Sequence, residues 1–226
     1  INNTRPLPKS LIYELLPSVA ELPERLDNRA LAAALTARLN YDAKSSLKGM
    51  IYQHTNPDGI IRDTAIQRVI MQSLNDGVMR DFMRKKNGDK RCFELVSEFF
   101  DAVQRVWEKE WEGQTPKTSR LVHGAGIAAL GYVMEVLALL DGARTSEEFA
   151  YGLGCLRDRT AWTSGHWDFD NSDTRHWKAI QNVNRDVMLL AQHMIGIVRA
   201  DIRKRRGKLA PAPLLDRARK TKEEAA

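Results

Sequence analysis

The sequence predicts an all-α chain, mostly a helical bundle, on three observations. Apolar residues recur at helical spacing in five separate stretches. No run alternates apolar and polar residues strongly enough to build a sheet. Turn signals such as Asn56-Pro57-Asp58-Gly59 and Asn75-Asp76-Gly77 fall between those stretches rather than inside them. At 226 residues, with 43% hydrophobic and 28% charged, the chain is ordinary in composition. It is long enough to bury roughly 70% of its unfolded surface.

The elements follow in order. Pro6-Leu7-Pro8-Lys9-Ser10 is a stiff turn, with Ser10 capping a short helix Leu11–Leu16 that ends before Pro17. Leu26, Ala30, Ala33, Leu35 and Ala37 predict a helix from Glu24 to Asn40, in which alanine is the best helix former. Ser45 and Ser46 start another, turning Leu47, Met50 and Ile51 inward. Pro57 fixes one φ and Gly59 accepts a positive one, so a turn follows, then a short extended piece at Ile60 and Ile61. A helix over Thr64–Asn75 carries Ala65, Ile66, Val69, Ile70 and Leu74 on one face. The long stretch Arg91–Trp111 has a stripe of Phe93, Val96, Phe99, Phe100, Val103 and Trp107.

Thr118 or Ser119 is expected to cap the apolar helix Leu121–Leu140, whose Gly and Ala positions permit close packing. That stretch is about long enough to cross a bilayer. It contains His123 and Glu135, and a carboxylate near the middle of a membrane costs several kcal/mol. A buried core helix and no membrane association are therefore expected. Thr145-Ser146-Glu147-Glu148 opens a further helix with a capping pattern. Trp162–Arg175 reads as a loop, and a final helix runs from Thr174 to about Arg206, ended by Gly207.

Cys92 and Cys155 stand far apart with no CxxC partner, which excludes a zinc ribbon and points to a reducing, cytoplasmic setting. The net charge of +6 is uneven. Arg199–Lys222 carries ten Lys/Arg against two Asp, whereas residues 1–198 sum to about zero.

No constellation stands out as a catalytic centre. Ser119 and His123 are spaced to share a helix face but lack an orienting acid and an oxyanion hole. Gly124, Gly126 and Gly131 miss the dinucleotide spacing and read as packing glycines. Asp168–Asp173 resembles the start of a calcium loop but has Asp173 where glycine belongs and Ala179 where glutamate belongs. No metal ligands are assigned.

The cluster Trp162-Thr163-Ser164-Gly165-His166-Trp167-Asp168-Phe169, with Arg175 and Trp177, has two readings. It is a plug pinning a long loop to the helices, or a surface where bases stack on Trp162 and Trp167 while Arg175 meets phosphate and Gln181, Asn182 and Asn184 read polar edges. Arg199, Arg203, Lys204, Arg205, Arg206 and Lys208 form either a phosphate-contacting run or a solvated helix end suited to the dipole.

Three stretches carry a family resemblance. Residues Ile1-Asn2-Asn3-Thr4-Arg5-Pro6-Leu7-Pro8-Lys9-Ser10, continuing to Pro17, resemble the segment closing the ParB/sulfiredoxin-like core of DGQHR-domain proteins. Ser119–Gly124 is similar to a later landmark of that group, as is Trp162–Phe169 followed by Arg175-His176-Trp177 and Gln181-Asn182. The similarity spans about residues 1–198 and is greatest to the DGQHR proteins of bacterial 7-deazaguanine DNA-modification clusters; a regulator of DNA phosphorothioation is a more distant likeness.

The resemblance implies an accessory protein that hydrolyses ATP with Mg and assists a transglycosylase-like DNA-modifying enzyme on DNA. It implies a nucleotide site that includes Asn2 and Arg5, at the family's Asn-x-x-Arg spacing. Its signature Asp-Gly-Gln-His-Arg is absent, and would lie upstream of Ile1. The opening at Ile1 rather than Met fits a chain that starts inside a longer protein. Three segments are expected: 1–17 as exit of a ParB-like α+β nucleotide-binding core, 18–206 as helical domain, and 207–226 as flexible basic tail. One Asn and one Arg cannot cradle phosphates, hold a metal and position water together, so the fragment alone is expected to be inactive. The rival readings are a non-catalytic DNA-binding regulator and a helical interaction module.

Overall fold

A computed structural model describes residues 24–169 and 173–209. Asn2, Arg5, the Leu11–Leu16 helix, the 1–17 segment, part of the calcium-loop likeness and residues 210–226 lie outside the described residues. The described chain is mostly helical, as its apolar spacing predicts.

Helix α1 (Glu24–Tyr41) buries Ala32, Leu35 and Leu39. The helix expected from Ser45 does not form. Ser46 donates its N–H to Ser97 Oγ (3.0 Å) and its hydroxyl to Ser97 O (2.7 Å), partners 51 residues away that compete with a helical turn. The chain instead enters β1 (Ile51–Tyr52), which pairs in parallel with β2 (Ile61–Arg62). The Asn40 side chain stands in for a third strand there: it donates to Ile51 O (2.9 Å) and accepts from Ile51 N (3.0 Å). Leu47 and Ile51 are buried, as expected of them.

Helix α2 (Asp63–Asp76) buries the predicted face, and Gly77 separates it from α3 (Val78–Met83). Helix α4 (Gly88–Val106) starts earlier than expected and breaks at Trp107, where the backbone leaves the helical region (φ −126°, ψ 51°), before α5 (Glu108–Trp111). The Trp107 indole lies edge-on to Trp162, 5.8 Å between ring centres.

The apolar helix α6 begins at Gly124 and runs to Val136, with a π-helical turn over Leu137–Asp141. Its cap is His123, whose Nδ1 accepts from Ala125 N (3.3 Å), rather than Thr118 or Ser119. Ser119 Oγ accepts from Leu121 N (3.1 Å), so Ser119 and His123 do not share a helix face. The stretch Gly124–Asp141 has the length and hydropathy of a membrane span, but 67% of it is buried inside this protein. Its carboxylate has a structural use. Glu135 Oε2 accepts from Val78 N (3.0 Å), capping α3 in space that Gly77 leaves open. Gly126 backs onto the Arg120 carbonyl, and a Cβ at Gly131 would meet Val69 at 2.8 Å, so both are packing glycines.

Helix α7 (Ser146–Leu153) opens with the predicted capping box: Thr145 Oγ1 accepts from Glu148 N, and Glu148 Oε2 accepts from Thr145 N (3.0 Å). A 3-10 turn (Gly154–Arg159) follows. The expected loop then contains an antiparallel pair, β3 (His166–Asp168) with β4 (Thr174–His176), so a small hairpin replaces loop and helix start alike. The last helix, α8 (Asn184–Leu209), begins ten residues later than expected and passes through Gly207 without ending there. Helix α6 sits centrally, packed between α2 and α8, while α4 carries α1, α3 and α7.

Candidate nucleic-acid interface

Both expected contact regions meet α8: the tryptophan cluster at its first half, the basic run at its second. The tryptophans come together, but inward. Trp162 and Trp167 are each 1% exposed and edge-on at 4.9 Å. Trp167 stacks on Phe169 at 5.9 Å, and His193 of α8 closes against both rings. Trp177 is buried too. No indole face is open to a base in this arrangement, which corrects the stacking reading of Trp162 and Trp167; the plug reading describes what is seen. Such contacts also explain the hairpin, since β3 alternates exposed, buried, exposed around Trp167.

Arg120 binds this corner to the rest. Its guanidinium donates to the carbonyls of Ile180 (2.8 Å), Lys178 (2.8 Å) and Pro116 (2.9 Å), and its N–H to Trp162 O (2.8 Å). Burial pushes its pKa down. Nothing in its local sequence marks Arg120 as a staple, because all but one of these partners lie more than forty residues away.

Arg175 is not a free phosphate contact either. It grips Asp173 with two bonds of 2.7 Å and reaches Asp186 at 3.2 Å. The Asp173 hydrogen bond holds the guanidinium above its usual pKa, and Arg175 in turn holds Asp173 below the usual carboxylate range. Arg205 is similarly committed, to Asp141 (2.7 and 3.2 Å) and Asp201 (2.8 Å), with its pKa raised chiefly by Asp141. Arg206 donates to the Leu140 carbonyl. Among the described residues of the basic run, Arg199, Arg203, Lys204 and Arg206 are exposed cations with no ion pair within 4.0 Å, and of these Arg206 is held by the Leu140 carbonyl.

Beside the plug lies a polar cleft of about 590 Å³ between the 3-10 turn, the hairpin and α8. Asp158, Arg159, Thr160, Ser164, His166 and Asp168 line one side and His193 with Ile197 the other. Asp168 Oδ1 accepts from Thr174 Oγ1 at 2.9 Å, so the hairpin fixes that carboxylate. Lys204 is seven residues beyond Ile197, two helical turns and about 10 Å along the same face of α8. Lys204 therefore continues the line of the cleft along the helix, with Arg203 about 100° round the helix from it. Gln181, Asn182 and Asn184 are exposed at its start, Asn184 accepting from Arg68 (2.8 Å). Hydroxyls, imidazoles, two carboxylates and one guanidinium in an open cleft suit polar recognition, and no group of three or more His, Cys, Asp or Glu among the described residues is arranged to hold a metal. Against known proteins, no family model, no curated protein and no solved structure matches this chain.

Proposed function

We propose that this chain is the helical body of a cytoplasmic accessory protein in a DNA-base modification system, one that inserts 7-deazaguanine derivatives. In this reading the body holds DNA and docks a transglycosylase-like enzyme, while ATP and Mg are handled by the intact protein at a site that includes Asn2 and Arg5. The reading starts from the resemblance to DGQHR-domain proteins. The observation that carries it to DNA is the alignment of exposed Lys204 with the polar cleft along α8, with exposed Arg203 next to it. Cations without a carboxylate beside them gain most from a polyanion, because each phosphate they meet releases condensed counterions.

A short labelled duplex titrated with the full chain tests it. Affinity is expected to fall steeply between about 50 and 200 mM salt. It should weaken further in Arg203→Glu/Lys204→Glu. A chain with no measurable affinity for duplex at the lower salt would remove the reading. A regulator without catalysis shares the DNA contact and differs in its partner, so a stable complex with the transglycosylase-like enzyme separates the two.

A further inference from the structure

The segment Arg80–Arg91, which joins α3 to α4, holds six Lys/Arg against Asp81 and Asp89, a net of four positive charges inside a nearly neutral body. The fold gathers these charges. Asn87 adopts the left-handed conformation (φ 59°), turning the chain so that Arg84, Lys85, Lys86 and Asn87 are all exposed. Arg144, from the approach to α7, arrives opposite. Lys85 and Arg144 border a cleft of about 410 Å³ floored by Phe82 and Leu95, with Arg91 and Glu94 also on its walls.

Some of these cations have neighbours. Arg80 meets Asp76 at 3.1 Å, Arg84 meets Asp81 at 3.7 Å and Lys90 meets Glu94 at 3.6 Å, all exposed pairs of small energetic weight. The side chains of Lys85, Lys86, Arg91 and Arg144 make no ion pair within 4.0 Å among the described residues, while the Arg144 backbone N–H donates to Glu148 Oε2 (2.7 Å). Two of the four are held in place. The Arg91 and Arg144 guanidiniums sit over the Phe82 ring, 5.7 and 5.5 Å from its centre, and Arg144 also donates to the carbonyls of Ala138 (2.8 Å) and Ala143 (2.6 Å). Lys85, Arg91 and Arg144 share the cleft with one carboxylate, Glu94, which already pairs with Lys90, so the cations outnumber it and an entering anion relieves their repulsion. Planar guanidiniums fixed in advance match phosphate oxygens bidentately. Charge extending beyond the cleft through Arg80, Arg84 and Lys90 suits a run of phosphates better than a single small anion.

We propose that the α3–α4 corner is a docking surface for the phosphate backbone of DNA, separate from the α8 end; this deepens the DNA reading above and rests on it. Contacts of this kind give affinity and orientation rather than sequence preference.

The test uses the full chain, a labelled duplex, and vesicles containing anionic phospholipid. Lys85→Glu/Lys86→Glu changes only exposed side chains, and circular dichroism with thermal unfolding checks that the fold is kept. Affinity at low salt is expected to drop about tenfold or more, and the salt slope should become shallower by about 0.9 for each phosphate that is no longer neutralised. Lys85→Gln/Lys86→Gln should lie between the variant and the native chain. Unchanged DNA binding in the Glu variant, with binding abolished by Arg203→Glu/Lys204→Glu, overturns this surface and leaves the DNA reading standing. Vesicle binding that needs Lys85 and Lys86, without duplex binding, overturns it in favour of a membrane contact. If the native chain binds no duplex, the DNA reading fails and this surface with it.

Discussion

The hairpin corner and the α3–α4 corner invert what their residues suggest. Around Trp162 and Trp167, aromatic rings, hydroxyls and Arg175 make a sequence that looks built for nucleic acid, yet the rings are buried and Arg175 is neutralised by Asp173 and Asp186. Between Met83 and Gly88, an unremarkable basic connection is held exposed, with two guanidiniums steadied on Phe82. What separates them is whether partners exist inside the molecule. An aromatic ring is worth most when covered on both faces, and an arginine is occupied once a carboxylate sits beside it. Residue type alone does not reveal either condition.

This contrast can be broken by mutation. Trp167→Ala should have the largest effect, a loss of about 3–5 kcal/mol in urea unfolding, since it empties a site enclosed by Trp162, Phe169 and His193. A loss below about 1 kcal/mol would mean the plug is not packed as described. Gly126→Ala comes next, at about 1–3 kcal/mol, because its methyl group meets the fixed Arg120 carbonyl.

The pH dependence at His123 is smaller and has a definite sign. Burial, aided by nearby Arg120, lowers its pKa below the usual histidine value. The folded state thus resists a proton that the unfolded state accepts. Its contribution to stability is present above about pH 6.5 and declines as pH falls from there toward the folded pKa. His123→Asn, which keeps a capping side chain, should flatten that part of the stability curve between pH 7.5 and 5.5. An unchanged curve would show that His123 does not titrate in this way. Lys85→Gln/Lys86→Gln should change stability least, within about 0.5 kcal/mol, while still weakening DNA binding.

Much of the fold was legible because its signals are local. The α2 face, the Asn56–Gly59 turn and the Thr145 capping box each depend on residues a few positions apart, although Gly59 does not take the positive φ expected of it and is instead required because the Ile51 backbone leaves no room for a Cβ. Failures cluster where the deciding partner is distant. Ser46 leaves the helical path for Ser97, Trp107 breaks α4 where its ring meets Trp162, and Glu135 is tolerated in an apolar helix because it caps Val78. The site was legible only in part for the same reason. Arg203 and Lys204 emerged as exposed cations without acidic neighbours, whereas the acids that occupy Arg175 and Arg205, and the Phe82 ring that organises Arg91 with Arg144, are set by tertiary packing.

In the DNA reading proposed above, exposed cations meet the duplex and the buried tryptophans do not. All five tryptophans are no more than 7% exposed, so intrinsic fluorescence reports on it directly. With unlabelled duplex added until a parallel anisotropy titration saturates, tryptophan emission and its protection from acrylamide should stay at their DNA-free values. Quenching of a large part of the emission at saturation, lost again in Trp167→Phe, would place a base against the indoles and contradict the claim.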